Sequence, residues 1–216
     1  DHRNSLIDEL SGIANIKVTT TPERISEDLT IENLNISIVN GSQSIGIVSS
    51  GLYNTLTASL NSTTNMMEID ISSSFGGFSG DITSQFSSGS IKGYLDLING
   101  KGTYADTTIG ENTFRGTLYY SNAMDTFAQN FARVLNGLNA ANDGTSQPLF
   151  MAQGDTDPET NPDVITAGNI TISAKWLQDS TYIKTTTGTA TASSSAGGGD
   201  NITRMISALE SDMKFY

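Results

Sequence analysis

A single histidine, His2, and a complete lack of cysteine set narrow limits on the chemistry this chain can perform. One imidazole cannot build a two- or three-histidine zinc site, and no HExxH motif is present. His2 has no companion residues that would make it part of a nucleophilic triad. Without cysteine there is no disulfide scaffold, no thiol catalysis and no thiolate metal site. Carboxylates are the remaining candidates. Asp155, Asp157, Glu159, Asn161 and Asp163 alternate like calcium ligands. An EF-hand loop starting at Asp155 needs Gly at its sixth position and an acid at its twelfth. Thr160 and Thr166 stand there instead, and Pro158 and Pro162 stiffen the path, so the stretch reads as a solvated acidic loop. Glu68 and Asp70 share one face of a predicted strand, and paired carboxylates can hydrolyse glycosides. Nothing around them suggests a sugar cleft, and surface strands commonly carry such a polar face. Gly77, Gly80 and the glycines at 197–199 lie in no GxGxxG or GK[ST] context, so phosphate binding is unsupported. No catalytic, cofactor-binding or metal-ligating residue is expected, and the chain reads as non-enzymatic.

Composition points the same way. Ser, Thr and Asn make up a third of the 216 residues, while hydrophobic residues reach 36% and charged residues 16%. Such a chain favours solvated β and turn structure over a dense enzyme core. In that background, the glycosylation-like triplets at Asn35, Asn61, Asn169 and Asn201 are expected by chance. The length suits one domain, or one with a small inserted lobe, able to bury about 70% of its unfolded surface. A net charge of −12 argues against nucleic acid, whose phosphates need a basic surface. It argues equally against an anionic membrane surface, and no apolar run approaches the ~20 residues of a membrane span.

The elements follow from hydrophobic periodicity. Leu6, Leu10 and Ile13 recur at helical spacing within residues 1–14. From residue 15 to 88 the period falls to two. Leu34, Ile36 and Ile38 alternate with polar residues, Asn40-Gly41 is a hairpin turn signal, and Ile45 and Ile47 resume the alternation. Further strands are predicted at 17–21, 52–60 and 67–71, with a Gly/Ser-rich loop over 75–88. Helical spacing returns with Ile91, Tyr94, Leu95 and Ile98, stopped by Asn99-Gly100. Residues 101–115 read as an irregular excursion. A polar loop over 142–168, a short strand near 169–173, a helical turn at Trp176 and a low-complexity stretch over 185–199 come later. Asp200 is placed to N-cap a last helix.

The clearest signal is a seam. Tyr120, Met124, Phe127, Phe131, Val134, Leu138 and Ala141 step by 4, 3, 4, 3, 4 and 3 residues. That 3.5-residue repeat is the mark of coiled-coil-like packing, on a helix over 116–141 about 39 Å long. Ile202, Ile206, Leu209, Met213 and Tyr216 repeat the stepping. Leu6, Leu10, Ile13, Tyr120, Met124, Phe127, Phe131, Val134, Leu138, Ile202, Ile206, Leu209 and Met213 are therefore expected to form a rod-packing seam. The predicted fold is α+β. An elongated helical rod domain with coiled-coil-like packing is built from residues 1–15 and 89–216, and an antiparallel β lobe is inserted over 16–88. The helices at both ends read as continuing beyond the chain into terminal coiled-coil helices.

Four blocks in order resemble a known family. Asp1-His-Arg-Asn-Ser-Leu-Ile-Asp-Glu-Leu-Ser11 with Ile16-Lys-Val-Thr19 resembles the D-x-R-D-x-L-[LI]-D-x-L-S segment of the first flagellar hook-associated proteins. Gly89-Ser-Ile-Lys-Gly-Tyr-Leu95 resembles their G-x-[LI]-x-G-[LY]-L helix. The stretch from Phe127 to Asn142, with Pro148-Leu-Phe150, resembles their long helix and following F-F. Asn169-Ile-Thr-Ile172 and Gly199-Asp-Asn-Ile-Thr-Arg-Met-Ile-Ser-Ala-Leu209 resemble their later N-I-x-[VI] and G-D-N segments. Asn4 stands where Asp is usual, Asn99-Gly100 replaces Arg-Asp, and the 101–115 excursion is not typical. The resemblance implies a structural subunit forming the junction between hook and filament of the bacterial flagellum. It further implies secretion through the flagellar type III export apparatus, an extracellular position, and an export chaperone. The implied partners are the hook protein, the third hook-associated protein and copies of the chain itself, with no nucleic acid and no membrane insertion. The short 143–168 region implies that the outer domain of larger relatives is reduced or absent. Two other readings stay open here. One is a flagellin or another hook-associated axial protein. The other is an extracellular carbohydrate-binding adhesin module, for which the lobe offers Tyr53, Phe75, Phe78 and Phe86.

Overall fold

The computed structural model describes residues 2–140, 147–155, 164–187 and 198–211. The chain folds as two compact units, Asp1–Tyr119 and Tyr120–Tyr216. Helices and antiparallel sheets both contribute, so the fold is α+β.

In the first unit, α1 (His2–Ile13) leads into a four-stranded antiparallel meander. Its strands are β1 (Ile16–Arg24), β2 (Thr30–Asn40), β3 (Gln43–Ser49) and the short β4 (Leu52–Tyr53), in that order. The predicted alternation on β2 holds, with Ile36 and Ile38 buried. The turn at Asn40-Gly41 forms one residue later than the dipeptide suggests. Asn40 pairs with Gln43, leaving Gly41 and Ser42 as the central residues. Of these only Gly41 has a positive φ, +60°, the pattern of a type II′ turn. A second sheet is built from β5 (Thr55–Asn61), β6 (Met66–Ser72) and β7 (Gly80–Asp81), in that order. The predicted 52–60 strand is thus two strands broken at Asn54, whose side chain spans from the Gly46 carbonyl to the Ser74 amide.

The expected Gly/Ser loop over 75–88 is more structured than its composition suggests. Besides β7 it holds a 3₁₀ turn, Thr83–Gln85, flanked by the fully buried Ile82 and Phe86. Two large apolar residues outweigh the turn-formers around them. The helix α2 (Gly89–Asn99) follows. Ile36, Ile38, Ile47, Ile69, Ile71, Ile82, Phe86 and Leu95 form one core with Ala14, and Ile7, Leu10 and Ile91 pack against it. Strands and helices of residues 1–119 therefore share a core. The division of the chain falls at 119/120, rather than between a 16–88 lobe and a rod of 1–15 and 89–216.

The 101–115 excursion is an ordered loop closed on the end of α2. Lys101 and Gly102 donate backbone bonds to the carbonyls of Asn112 and Phe114, and Gly116 and Tyr119 donate to Gly100. Gly100 is chosen for close approach, not for a left-handed turn: its φ is −65°, and a Cβ there would meet the Phe114 oxygen at 2.4 Å. Gly102 needs both freedoms, with φ +57° and the Tyr119 ring 2.4 Å from a Cβ. A Lys101–Glu111 ion pair at 2.5 Å braces the loop. That hydrogen bond from Lys101, with one from the Asp106 amide, holds the Glu111 carboxyl below its ordinary range.

The second unit holds most of α3 (Thr117–Asn139), the β8 (Phe150–Ala152) and β9 (Ile170–Ile172) hairpin, α4 (Ala174–Gln178) and α5 (Asp200–Glu210). Its core has two parts. Ala128, Ala132, Ala152 and Ile165 form one, and Leu135, Leu149 and Met205 the other. Asp200 begins α5 but is not its cap. Gly199 occupies that position, and the Asp200 carboxylate accepts bonds from the Thr187 amide and hydroxyl. This ties the start of α5 to the segment before it.

Candidate functional site

The long helix α3 decides what the predicted seam can do. Its buried line is Ala128, Ala132, Leu135 and Asn139, spaced 4, 3 and 4 residues apart. The heptad spacing recurs, but the line lies one residue, about 100°, around the helix from the expected seam. Small residues at 128 and 132 let neighbours approach, while the bulky seam residues fall to the side. Tyr120 is 62% exposed, Met124 57%, Phe127 42% and Val134 38%. Phe131 and Leu138 alone among the α3 seam residues pack on the second-unit core, where Ile202 of α5 joins them. Leu6 and Ile13 of α1 are exposed, and Leu10 packs on the first-unit core. Ile206 and Leu209 are exposed, and Met213 lies outside the described residues. The thirteen positions are thus not one buried seam within the chain. Those on α3 form an apolar stripe of which Tyr120, Met124, Phe127 and Val134 face solvent.

An aromatic run backs that stripe. The Phe127 and Phe131 rings stack at 6.2 Å, Phe131 meets Phe150 edge-on at 5.0 Å, and Phe150 meets Trp176 at 5.9 Å. Such pairs prefer offset or edge-to-face geometry and add to the energy of burial. They fix the rotation of α3 against the β8–β9 hairpin, and so which residues point outward.

Three asparagines do the rest of the positioning, and hydrophobic periodicity missed all three. Asn136 accepts from the amides of Leu149 and Phe150 and donates to the Phe150 carbonyl at 2.8 Å. Fully buried Asn139 donates to the carbonyls of Gln147 and Tyr182 and accepts from the Lys184 amide at 2.7 Å. Asn201 donates to Leu138 and Lys184 carbonyls. The Leu138 oxygen lies in the last turn of α3, where carbonyls lack an intrahelical partner. Each amide therefore serves backbone groups that no strand or helix satisfies. The first unit repeats the device: Asn99 both donates to and accepts from the Met67 backbone at 2.7 Å. The available signal was an Asn in step with a buried line, Leu135 then Asn139, where surface polarity has no place.

The residues screened for chemistry are scattered. His2 is exposed on α1. Glu68 accepts from Asn61, and Asp70 lies across from Asp81 in the ladder. Asp155 is described, but Asp157, Glu159, Asn161 and Asp163 are outside the described residues. Among the described residues no group of three or more metal-binding side chains converges, and no helix is long and apolar enough to cross a membrane. Tyr53 and Phe78 are exposed, Phe86 is buried, and Phe75 lies against Gly46, so the lobe's aromatics form no shared sugar platform.

What stands out among the described residues is an α+β fold with an apolar stripe turned outward on α3 and asparagine-braced loops, a surface rather than a converging set of reactive groups. Residues 1–150 match the family model of the flagellar hook-associated protein FlgK helical domain. The match covers more than half of the chain, and the chain belongs to that family. No curated protein matches it significantly. It is therefore a structural, hook-associated protein of the bacterial flagellum, a component of motility that associates with other axial subunits.

Proposed function

We propose that the chain forms the junction between hook and filament, as part of an elongated rod in which helices pack through coiled-coil-like seams. The observation that carries this reading is the α3 stripe. Tyr120, Met124, Phe127 and Val134 keep heptad spacing yet stay exposed, on a chain of the hook-associated family. Contiguous exposed apolar side chains on a soluble protein mark a surface that another element covers. Heptad spacing makes that element a helix. In this reading the terminal coiled-coil helices of the subunit and its neighbours cover the stripe. The hook protein on one side and the third hook-associated protein on the other complete the contacts. Export through the flagellar secretion apparatus, with a chaperone shielding the stripe beforehand, belongs to the same proposal.

The test uses a Met124→Ser variant in the motile host. That side chain is 57% exposed, so the melt of the isolated chain should move by no more than ~0.5 kcal/mol. Filaments should nevertheless detach into the medium. Unchanged filament retention would refute the stripe as the junction surface. Immunogold along the whole filament, rather than at its base, would favour a flagellin role instead.

A further inference from the structure

We propose that the free edge of β5 takes up an extended segment of a partner polypeptide as an added strand. That segment would carry aliphatic residues at alternate positions and Lys or Arg at the positions between. This surface lies on the first unit and does not depend on where in the flagellum the chain sits.

Three observations converge on this edge. First, β5 is the outer strand of its sheet and is exposed along Thr55–Leu60, on both faces. In an antiparallel pair every second residue of the outer strand turns its N–H and C=O away from its partner. Such a row of backbone groups is a template for another strand. Natural edges are usually blunted by Pro, charge or a bulge. The seven residues Thr-Leu-Thr-Ala-Ser-Leu-Asn contain no Pro and no charge, and the β5–β6 register runs from Thr55↔Ser72 to Asn61↔Met66 without a shift. The other long edge, β1, does carry such devices: Lys17, Pro22, Glu23 and Arg24.

Second, one face of this edge opens onto an apolar groove of about 270 Å³ between the sheet and α2. Leu56 and Ala58 of β5, Ile69 of β6, and Ile91, Tyr94 and Ile98 of α2 line it. A cavity of ~150 Å³ holds one benzene-sized group, so this one has room for about two aliphatic side chains. A strand laid beside β5 projects every second side chain to this face, roughly 6.6 Å apart. Backbone pairing with pockets for alternate side chains is the recognition mode of strand addition.

Third, the opposite face carries acids of β6 and β7. Glu68 pairs with Ser59, and Asp70 with Thr57, so both acids project on the Thr/Ser side of β5. Asp70 faces Asp81 directly across the β6–β7 ladder, a like-charge pairing that is unfavourable in a sheet. No ion pair among the described residues reaches Glu68, Asp70 or Asp81. A basic side chain on the incoming strand reaches over Thr57 and Ser59 toward these acids. A second copy of the chain is the poorer occupant, because its own β5 carries no cation and each copy brings a charge of −12.

The probe is an acetylated, amidated peptide of alternating lysine and valine matching the seven residues of β5, added to the 216-residue chain. Saturable binding by fluorescence anisotropy is expected. It should be lost when alternate peptide nitrogens are methylated or the central valine is replaced by proline, because both remove ladder donors. A Val/Glu peptide should not bind. Leu56→Glu and Ala58→Glu, each on an exposed strand and checked for native far-UV circular dichroism, should weaken binding by about tenfold or more. Glu68→Gln/Asp70→Asn should weaken it about fivefold. Equal binding of the proline or methylated peptide would reduce the contact to charge attraction and overturn strand addition. Absence of binding, or equal binding of the Val/Glu peptide, would also overturn it. Concentration-dependent self-association abolished by Ala58→Glu would make a second copy the occupant and overturn the stated partner.

Discussion

Replacing Asn139 by alanine tests most directly whether asparagine side chains hold the second unit together. Asn139 is fully buried and serves the Gln147 and Tyr182 carbonyls and the Lys184 amide. Alanine leaves these three backbone groups without that partner. Each unsatisfied buried group costs about 1–3 kcal/mol, and water entering the vacated space recovers part of that. Alanine's better helix propensity returns at most about 0.7 kcal/mol at this helix end. The net expectation is a loss of about 3–5 kcal/mol, a large share of the 5–15 kcal/mol that stabilises a typical domain. Asn122→Ala, in the same helix, is the control, because only its backbone carbonyl is bonded to Thr126. It should be neutral or slightly stabilising. Urea melts followed by Trp176 fluorescence report on this unit, since the sole tryptophan packs on the Leu135–Leu149–Met205 cluster. If Asn139→Ala and Asn122→Ala melt within ~0.5 kcal/mol of each other, the amide network does not carry the packing attributed to it.

Other substitutions separate the structural from the exposed part of α3 and probe the ordered excursion. Phe131→Ala, which removes a ring packed on Phe150 and on the Leu135–Leu149–Met205 cluster, should cost about 3–5 kcal/mol in the same melt. Phe127→Ala should cost only about 1 kcal/mol, because its ring is 42% exposed; equal costs would place both rings in the core. Gly102→Ala should destabilise by several kcal/mol through clash with Tyr119 as well as a left-handed backbone. Gly110→Ala, with φ +77° but open space around it, should lose only about 1–2 kcal/mol. Glu111 has a folded pKa lowered by its bond to Lys101, so its contribution is present above its ordinary value of 4.5 and fades as pH falls through the folded value. Wild type should therefore lose stability between neutral and acidic pH more steeply than Glu111→Gln, measured as urea midpoints across that range.

Residue spacing made much of the fold legible, and the failures share a cause. Ile36 and Ile38 on β2, or Phe131 and Leu138 on α3, could be found because a periodic apolar face must be buried. Periodicity also located α3 to within a residue or two at each end. It could not tell which of two adjacent stripes faces inward, because Ala128 and Ala132 bury nearly completely while offering little hydrophobic signal. The eye follows Tyr120, Met124 and Phe127, the larger side chains, and these are the ones left outside. Ile82 and Phe86 were hidden by the Gly and Ser residues around them. Asn99, Asn139 and Asn201 look like surface polarity until the backbone groups they serve are known. Their role depends on contacts between residues as far apart as Leu138 and Asn201, which no local window contains.

The same asparagines explain how a chain so poor in hydrophobic residues can have defined loops and still leave large apolar side chains outside. Amides that bond to backbone fix the path of a loop without using an aliphatic residue for the purpose. Asn136, Asn139 and Asn201 hold the segments around Leu149 and Lys184 in this way. Tyr120, Met124 and Val134 are then available to the surface, where an isolated globule would gain nothing from them. Left exposed, such a stripe invites indiscriminate association. A charge of −12 opposes contact between free subunits at long range, but it is screened beyond about 8 Å at physiological salt. Only a partner that matches the stripe closely at short range overcomes that repulsion. In the proposed role this is the selectivity that an axial subunit requires: apolar enough to bind its neighbours in the assembly, and charged enough to stay apart from its copies before reaching it.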